Sequence, residues 1–388
     1  MGTSDSAMNV NPDPNWDRDN WRRRVCDWLR DSGGILPITD SPDLEQLLEF
    51  VQTEGVAGIL FDAIQTHRQA VPPRLADRLA DITYRNAAHA LVTQSELRAL
   101  SEHFAQAGLQ PLVIKGAALA HTHYREPYLR PSCDTDLIVD RAESKRLETL
   151  LHRLGYRRLP AVSGRFITQQ FSMAKNVSGF AHLVDIHIEI TNSELFAGIL
   201  RFKELRASAQ EIPALGLWTP HPVAALLLAC IHRVVHHPHI ERLIWLYDMH
   251  LLVAHLPDAE QLRFAELARD KGIASICAAS LDVCRSLLGT TLTDPARSVL
   301  REAALQQTES SAVYLNPKRT LGRDVWLNLR YSRSWRARFG LIAETLFPPP
   351  SYLLGQRPNA HAALLPVYYV SRMLKGAARY VRRRGTSV

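Results

Sequence analysis

Apolar residues recur at three- and four-residue intervals through most of the first hundred positions, which predicts helices. Residues 16–29 read as a short amphipathic helix broken by Gly33-Gly34. Residues 44–66 and 73–107 repeat the pattern without strand-like alternation, and Gly108 stands where a C-cap is expected. The texture changes at Gln110. Residues 110–114 form a short β-rich run, 119–124 read as a helix, 134–139 as a strand, and 141–154 as a helix closed by Gly155. Strands are expected over 156–159, 166–173 and 182–190. Helical spacing returns over 221–236, 240–255, 259–271, 273–288 and 295–307, and weakens past Tyr314. A last helix is expected over 361–382, beyond the break at Pro348-Pro349-Pro350.

Strand, helix, strand, helix and then several strands in succession indicate an α/β (α+β) fold, a small mixed sheet with helices packed against it. A doubly wound sheet does not fit, because the final strands have no helix between them. The expected organisation is a disordered N-terminus at 1–15, a helical region at 16–99 and an α/β core at 100–192. A helical region at 193–345 and a basic C-terminal helix and tail at 346–388 complete the chain.

With 46% hydrophobic and 22% charged residues, the composition is that of a folded protein and excludes general disorder. The net charge of +7 favours a polyanionic partner, which nucleotide phosphates satisfy as well as DNA, RNA or anionic lipid. Lys375, Arg379, Arg382, Arg383 and Arg384 crowd the C-terminus without an acid among them. A solvated tail is the ordinary reading of such a run, and an anion- or acceptor-binding flap the sharper one. Five scattered cysteines with no CxxC pair suit reduced thiols rather than a disulfide framework or zinc knuckle. No apolar signal core and no membrane-spanning run is evident, so a cytoplasmic location is expected.

The candidate chemistry centres on Asp134 and Asp136. A spacing of two on a strand points both carboxylates the same way, near enough to share one divalent cation or a pair. Side by side they repel, so a cation or a base is expected close by. The 182–190 strand alternates, with Asp185, His187 and Glu189 on one face and Val184, Ile186, Ile188 and Ile190 on the other. Alone, that polar face suits solvent; beside the aspartate pair, Asp185 completes a two-metal site. Such a site serves nucleotidyl transfer, in which a hydroxyl attacks an α-phosphate and pyrophosphate leaves in line. Oxygen ligands of this kind suit Mg²⁺ (or Mn²⁺).

These residues fall in a recognisable order: K-G-x-x-L from Lys115, L-R-P-x-x-D-x-D-L-I-V from Leu129, V-D-I-H from Val184, then a helical H-x3-H and W-L-Y-D. The chain resembles the bacterial proteins called uncharacterised nucleotidyltransferases, of the DNA polymerase β-like nucleotidyltransferase superfamily, best over residues 100–252. The resemblance implies that Asp134 and Asp136 are paired metal ligands and Asp185 the third. It also implies that Gly116, opening a helix, lets a triphosphate approach the backbone. The chain departs from the superfamily pattern in two ways. Gly116-Ala117 replaces the usual Gly-Ser or Gly-Gly, with Lys115 supplying charge in place of a serine hydroxyl, and the gap to the aspartates is longer.

The nucleotide-binding set is thus Lys115, Gly116, Ala117 and Arg130. For Arg130 two readings stand, a phosphate contact or neutralisation of the acidic cluster. His187 either orients the acceptor or supports the ligands through a hydrogen bond, and Glu189 reads as a structural charge. His232, His236, His237 and His239, with Asp248 and His250, raise a zinc reading. It is disfavoured because there is no H-E-x-x-H and Pro238 interrupts the helix. The expected activity is Mg²⁺-dependent transfer of a nucleoside monophosphate from a nucleoside triphosphate to a hydroxyl-bearing acceptor. Small molecule, peptide, protein and RNA remain open as acceptors. The alternatives are a nucleotide-binding or regulatory protein of the same fold with little turnover, and a nucleic-acid-binding module.

Overall fold

Three consecutive apolar residues, buried on both faces, make up β1 (Leu112–Ile114), the kind of run that fills the middle of a sheet. In the computed structural model, residues 18–31, 41–68, 70–160, 169–235, 241–306, 309–316, 319, 321–332, 334–355 and 361–373 are described. The other strands are β2 (Thr135–Ile138), β3 (Arg157–Arg158), β4 (Gln170–Val177), β5 (Phe180–His187), β6 (Gln210–Ile212) and β7 (Leu217–Thr219). They form one seven-stranded mixed sheet in the order β3-β4-β5-β2-β1-β7-β6. β2 pairs antiparallel with β1 and parallel with β5, and β7 runs parallel to β1. The expected α/β (α+β) class is therefore what the chain adopts.

Period-two alternation divides the side chains between two layers. Val113, Leu137, Val184 and Ile186 pack on Leu97, Leu100 and Phe104 of α4 (Pro73–Gln106) and on Leu147 and Leu151 of α6 (Ser144–Arg153). Leu112, Ile114 and Ile138 face the other way, into a larger core shared with α8 (Pro222–Val235) and α9 (Leu243–His255). Each fully buried aliphatic side chain contributes about 1.5–3 kcal/mol of transfer free energy. The in-phase register Asp136↔Asp185 and Ile138↔His187 puts both aspartates and the histidine on the α8/α9 side.

Several differences from the sequence reading have local causes. The expected 44–66 helix is two helices, α2 (Ser41–Thr53) and α3 (Ala57–Thr66), separated at Glu54-Gly55. Gly55 has φ +78°, and a Cβ there would meet Ile244 at 3.3 Å, so glycine is needed for both the turn and the fit. The 166–173 strand is β4, which starts at Gln170; residues 161–168 lie outside the described set. β4 and β5 join through Ser178-Gly179, both at positive φ, as a two-residue hairpin turn requires. The β6–β7 hairpin extends the sheet beyond residue 192, into a stretch read as helical. α5 (Lys115–Thr122) follows β1 directly, and helices 10–15 continue the chain from Asp258 to Gly355. Among the described residues no helix is long and apolar enough to cross a membrane.

Candidate active site

The sheet register sets the site. Asp136 on β2 and Asp185 on β5 are direct neighbours across a parallel pair, with His187 one alternation further on. Each of the three offers one ligand atom, and these atoms lie within 4.8 Å of one another. Asp136 and His187 are buried, and the Asp185 Oδ1 atom is buried without a protein partner. A carboxylate oxygen left bare in this way is costly unless something binds it. The donor set, two hard oxygens and an imidazole, fits a divalent metal ion.

Asp134 lies just before β2 and outside that tight group, although its charge is felt there. Burial, and then repulsion from Asp136 and Asp185, pushes its carboxyl up to about 6. Ser132 Oγ donates to Asp134 Oδ1 at 3.3 Å and to its carbonyl oxygen at 2.7 Å. Burial alone would raise Asp136 too, but the Lys115 ammonium and His187 hold it far below the ordinary carboxylate range.

Lys115 is the residue that most shapes the electrostatics. Its Nζ donates to Asp136 Oδ1 at 2.6 Å and lies 3.4 Å from His187 Nε2. Its backbone sits at φ +57°, a left-handed conformation that costs a side-chain-bearing residue about 1–2 kcal/mol. That turn between β1 and α5 directs the lysine back across the strand ends, and the ion pair offsets the strain. His187 Nε2 is 2.7 Å from Asp136 Oδ1, and burial, with Lys115, lowers the imidazole's pKa. Neutral His187 donates through Nε2 to the carboxylate, leaving the buried Nδ1 as an acceptor without a protein partner.

Arg130 is engaged elsewhere. Its Nε donates to Asp248 at 2.9 and 3.1 Å, its Nη2 to Asp248 at 2.8 Å, and its Nη1 to the Pro131 carbonyl at 2.7 Å. Tyr124 adds a hydroxyl donor to Asp248 at 2.7 Å. The guanidinium is thus paired with Asp248 of α9, a partner that neither sequence reading names. The same guanidinium explains Gly116, because a Cβ there would come within 2.8 Å of Arg130 Nη2. Gly116 and Ala117 open α5, where backbone N–H groups lack helical partners.

The other candidates separate. Glu189 meets Arg141 at 3.3 Å on the surface, as a structural charge. His232 stacks edge-on against Trp245 with ring centroids 5.3 Å apart, and His250 Nδ1 lies 2.9 Å from Thr290 Oγ1. Asp248 is paired with Arg130, and His236, His237 and His239 lie outside the described residues. A polar chain absent from the sequence reading runs behind the strand. Thr135 Oγ1 is 3.5 Å from His182 Nε2, His182 Nδ1 is 2.7 Å from the Tyr156 hydroxyl, and Tyr156 donates to Glu96 at 3.0 Å. Only the alternation of the 182–190 strand, which puts His182 opposite Asp185, hinted at it.

Lys115, Gly116, Asp134, Asp136, Asp185 and His187 line a cavity of about 990 Å³, walled by Asn86 and His89 of α4, Leu228 and His232 of α8, and Trp245 of α9. That is at the upper end of small-molecule sites. Comparison with curated proteins finds no match. A protein-family pattern described as "Uncharacterised nucleotidyltransferase" matches residues 40–289, from the approach to α2 through the end of α11 (Ala274–Leu288). With more than half its length matched, and a carboxylate floor at the strand ends, the chain belongs to this nucleotidyltransferase family and is a transferase enzyme.

Proposed function

We propose that this enzyme is a member of the DNA polymerase β-like superfamily and moves a nucleoside monophosphate from a nucleoside triphosphate to an acceptor hydroxyl. The observation that carries the reading is the convergence of Asp136, Asp185 and His187 from two parallel strands, with Asp185 Oδ1 buried and bare. Asp136 and Asp185, with Asp134 at their edge, would hold the divalent ion; Mg²⁺ suits the oxygens and Mn²⁺ also suits His187. When bound, that ion neutralises charge on the phosphoryl oxygens and on the leaving group.

The chain's own residues account for the rest. The N–H groups of Gly116 and Ala117 at the start of α5 receive phosphate oxygens, and Lys115 adds a positive charge beside them. The acceptor oxygen bonds to the α-phosphorus, the bond to the β-phosphate bridging oxygen breaks, and pyrophosphate departs. The acceptor's proton passes to a base at the floor. Asp185, bare at Oδ1, supplies a lone pair there. Arg130 acts through position, holding α5 against α9.

One contact favours the second reading, nucleotide binding with little turnover. Lys115 already neutralises Asp136, so the site has an internal cation. An incubation with each α-labelled nucleoside triphosphate, Mg²⁺ or Mn²⁺, and cell extract as acceptor source separates the two. Label transferred by the wild type and lost in folded Asp134→Ala supports the transferase reading. Nucleotide binding without transfer under every combination supports the other.

A further inference from the structure

The charge of this chain is divided between two regions. Residues 318–388 hold 14 Lys/Arg and 2 Asp/Glu, whereas residues 1–317 hold 32 and 37. The whole net positive charge therefore belongs to the C-terminal segment, and the family match, which ends at residue 289, does not include it.

The described part of that segment also exposes apolar side chains in order. α14 (Trp335–Leu346) shows Trp335 at 65% exposure, Phe339 at 67%, Ile342 at 41% and Leu346 at 39%. At 100° per residue these four fall within an arc of roughly 60°. Arg336 and Arg338, both exposed, flank that arc, and Glu344, the helix's one acid, lies on the reverse. Leu341, also towards the reverse, is buried. So α14 is seated by one side and presents its apolar stripe outward. Neighbouring elements extend the surface. Phe347, just past the helix, is exposed and stacks near Tyr369, whose hydroxyl donates to the Pro348 carbonyl at 2.6 Å. Val367 and Val370, in the helical stretch 365–373 that also carries Tyr369, are exposed.

From these observations we infer that α14 and the described residues beside it are a docking surface for an anionic lipid bilayer, with the α14 stripe entering the interface and Arg336 and Arg338 meeting the headgroups. An outward row of Trp, Phe, Ile and Leu bordered by arginine is the composition of a helix lying in a membrane surface. The excess of positive charge supplies the attraction to acidic lipid. Nucleic acid would use the charge, but it offers no apolar phase for Ile342, Leu346, Val367 and Val370; aromatic stacking is what single strands reward. The enzyme would thus work at a membrane without spanning it.

The test is flotation of the full chain with vesicles of phosphatidylcholine, with or without phosphatidylglycerol, at physiological ionic strength. Binding is expected to the anionic vesicles and to weaken as salt rises. Phe339→Glu with Ile342→Glu should lower partitioning by roughly tenfold or more. Arg336→Gln with Arg338→Gln should lower it roughly fivefold for each charge. These positions are exposed, so circular dichroism should be unchanged in both variants. The inference is overturned by failure to bind anionic vesicles, or by binding that ignores Phe339 and Ile342. It is equally overturned if RNA or DNA binds in preference to vesicles and indifferently to Phe339. A homodimer that dissociates on Phe339→Glu and excludes vesicles would give the stripe to a second copy instead.

Discussion

Replacing Asp248 by alanine removes the one carboxylate that neutralises Arg130 in a buried setting. Arg130 and Asp248 are both under 10% exposed, and three donor–acceptor contacts of 2.8–3.1 Å join them. Breaking such a pair from one side leaves a buried charge without its counter-ion, at a cost of about 3–5 kcal/mol. The Tyr124 hydroxyl loses its acceptor as well, worth about 1 kcal/mol more. A loss of this size should appear as a lower urea midpoint at neutral pH, followed by circular dichroism. Removing both charges together, as Asp248→Leu with Arg130→Met, should recover most of the stability, since an apolar pair of similar volume replaces a buried ion pair at little cost. An Asp248→Ala midpoint within about 0.5 kcal/mol of wild type, or a double variant no better than the single, would refute the reasoning.

Other consequences are equally concrete. Gly116→Ala forces a methyl group into the guanidinium that Asp248 and Pro131 hold, and should cost about 1–3 kcal/mol by the same urea assay. Asp134 binds its proton more tightly folded than unfolded, so it favours the fold at acid pH and disfavours it as pH rises through about 6. In metal-free buffer Asp134→Asn should therefore raise the melting temperature at pH 7.5 and leave it unchanged well below pH 4, as scanning calorimetry would register. Glu54 is fully buried among Arg18 and Arg22 and accepts the Leu243 N–H at the start of α9. Glu54→Ala should cost about 3–5 kcal/mol in denaturant, because Arg18 and Arg22 lose their buried counter-ion and keep only their contacts with Glu241.

How much of this was legible in the sequence depended on how local each signal was. The long helices carry a repeating period, so 73–107 and 273–288 fell within a residue of α4 and α11. The aspartate pair and the alternation through Asp185 and His187 were visible for the same reason, because period-two geometry is written in adjacent positions. The β6–β7 hairpin was not visible. Its strands have three residues each, and β7 earns its place by pairing with β1, about a hundred positions away. Arg130 and Asp248 are 118 positions apart, and nothing in either neighbourhood marks them as partners. Asp248 accordingly drew a metal reading from the histidines around it. Lys115 was read as a charge for phosphate; its backbone turn and its hold on Asp136 depend on the packing of α5 against β2. Lys375, Arg379, Arg382, Arg383 and Arg384 lie outside the described residues.

The measurement that reaches the central claim most directly compares the fate of two labels on one nucleotide. Wild type and Asp185→Asn, both shown to be folded, are incubated with a triphosphate labelled at either the α- or the γ-phosphate, Mn²⁺ and an acceptor-containing extract. Nucleotidyl transfer by the aspartate floor predicts that the α-label enters an acceptor, the γ-label leaves as pyrophosphate, and Asp185→Asn abolishes both. Transfer of the γ-label to an acceptor, or α-label transfer that survives loss of Asp185, would contradict it.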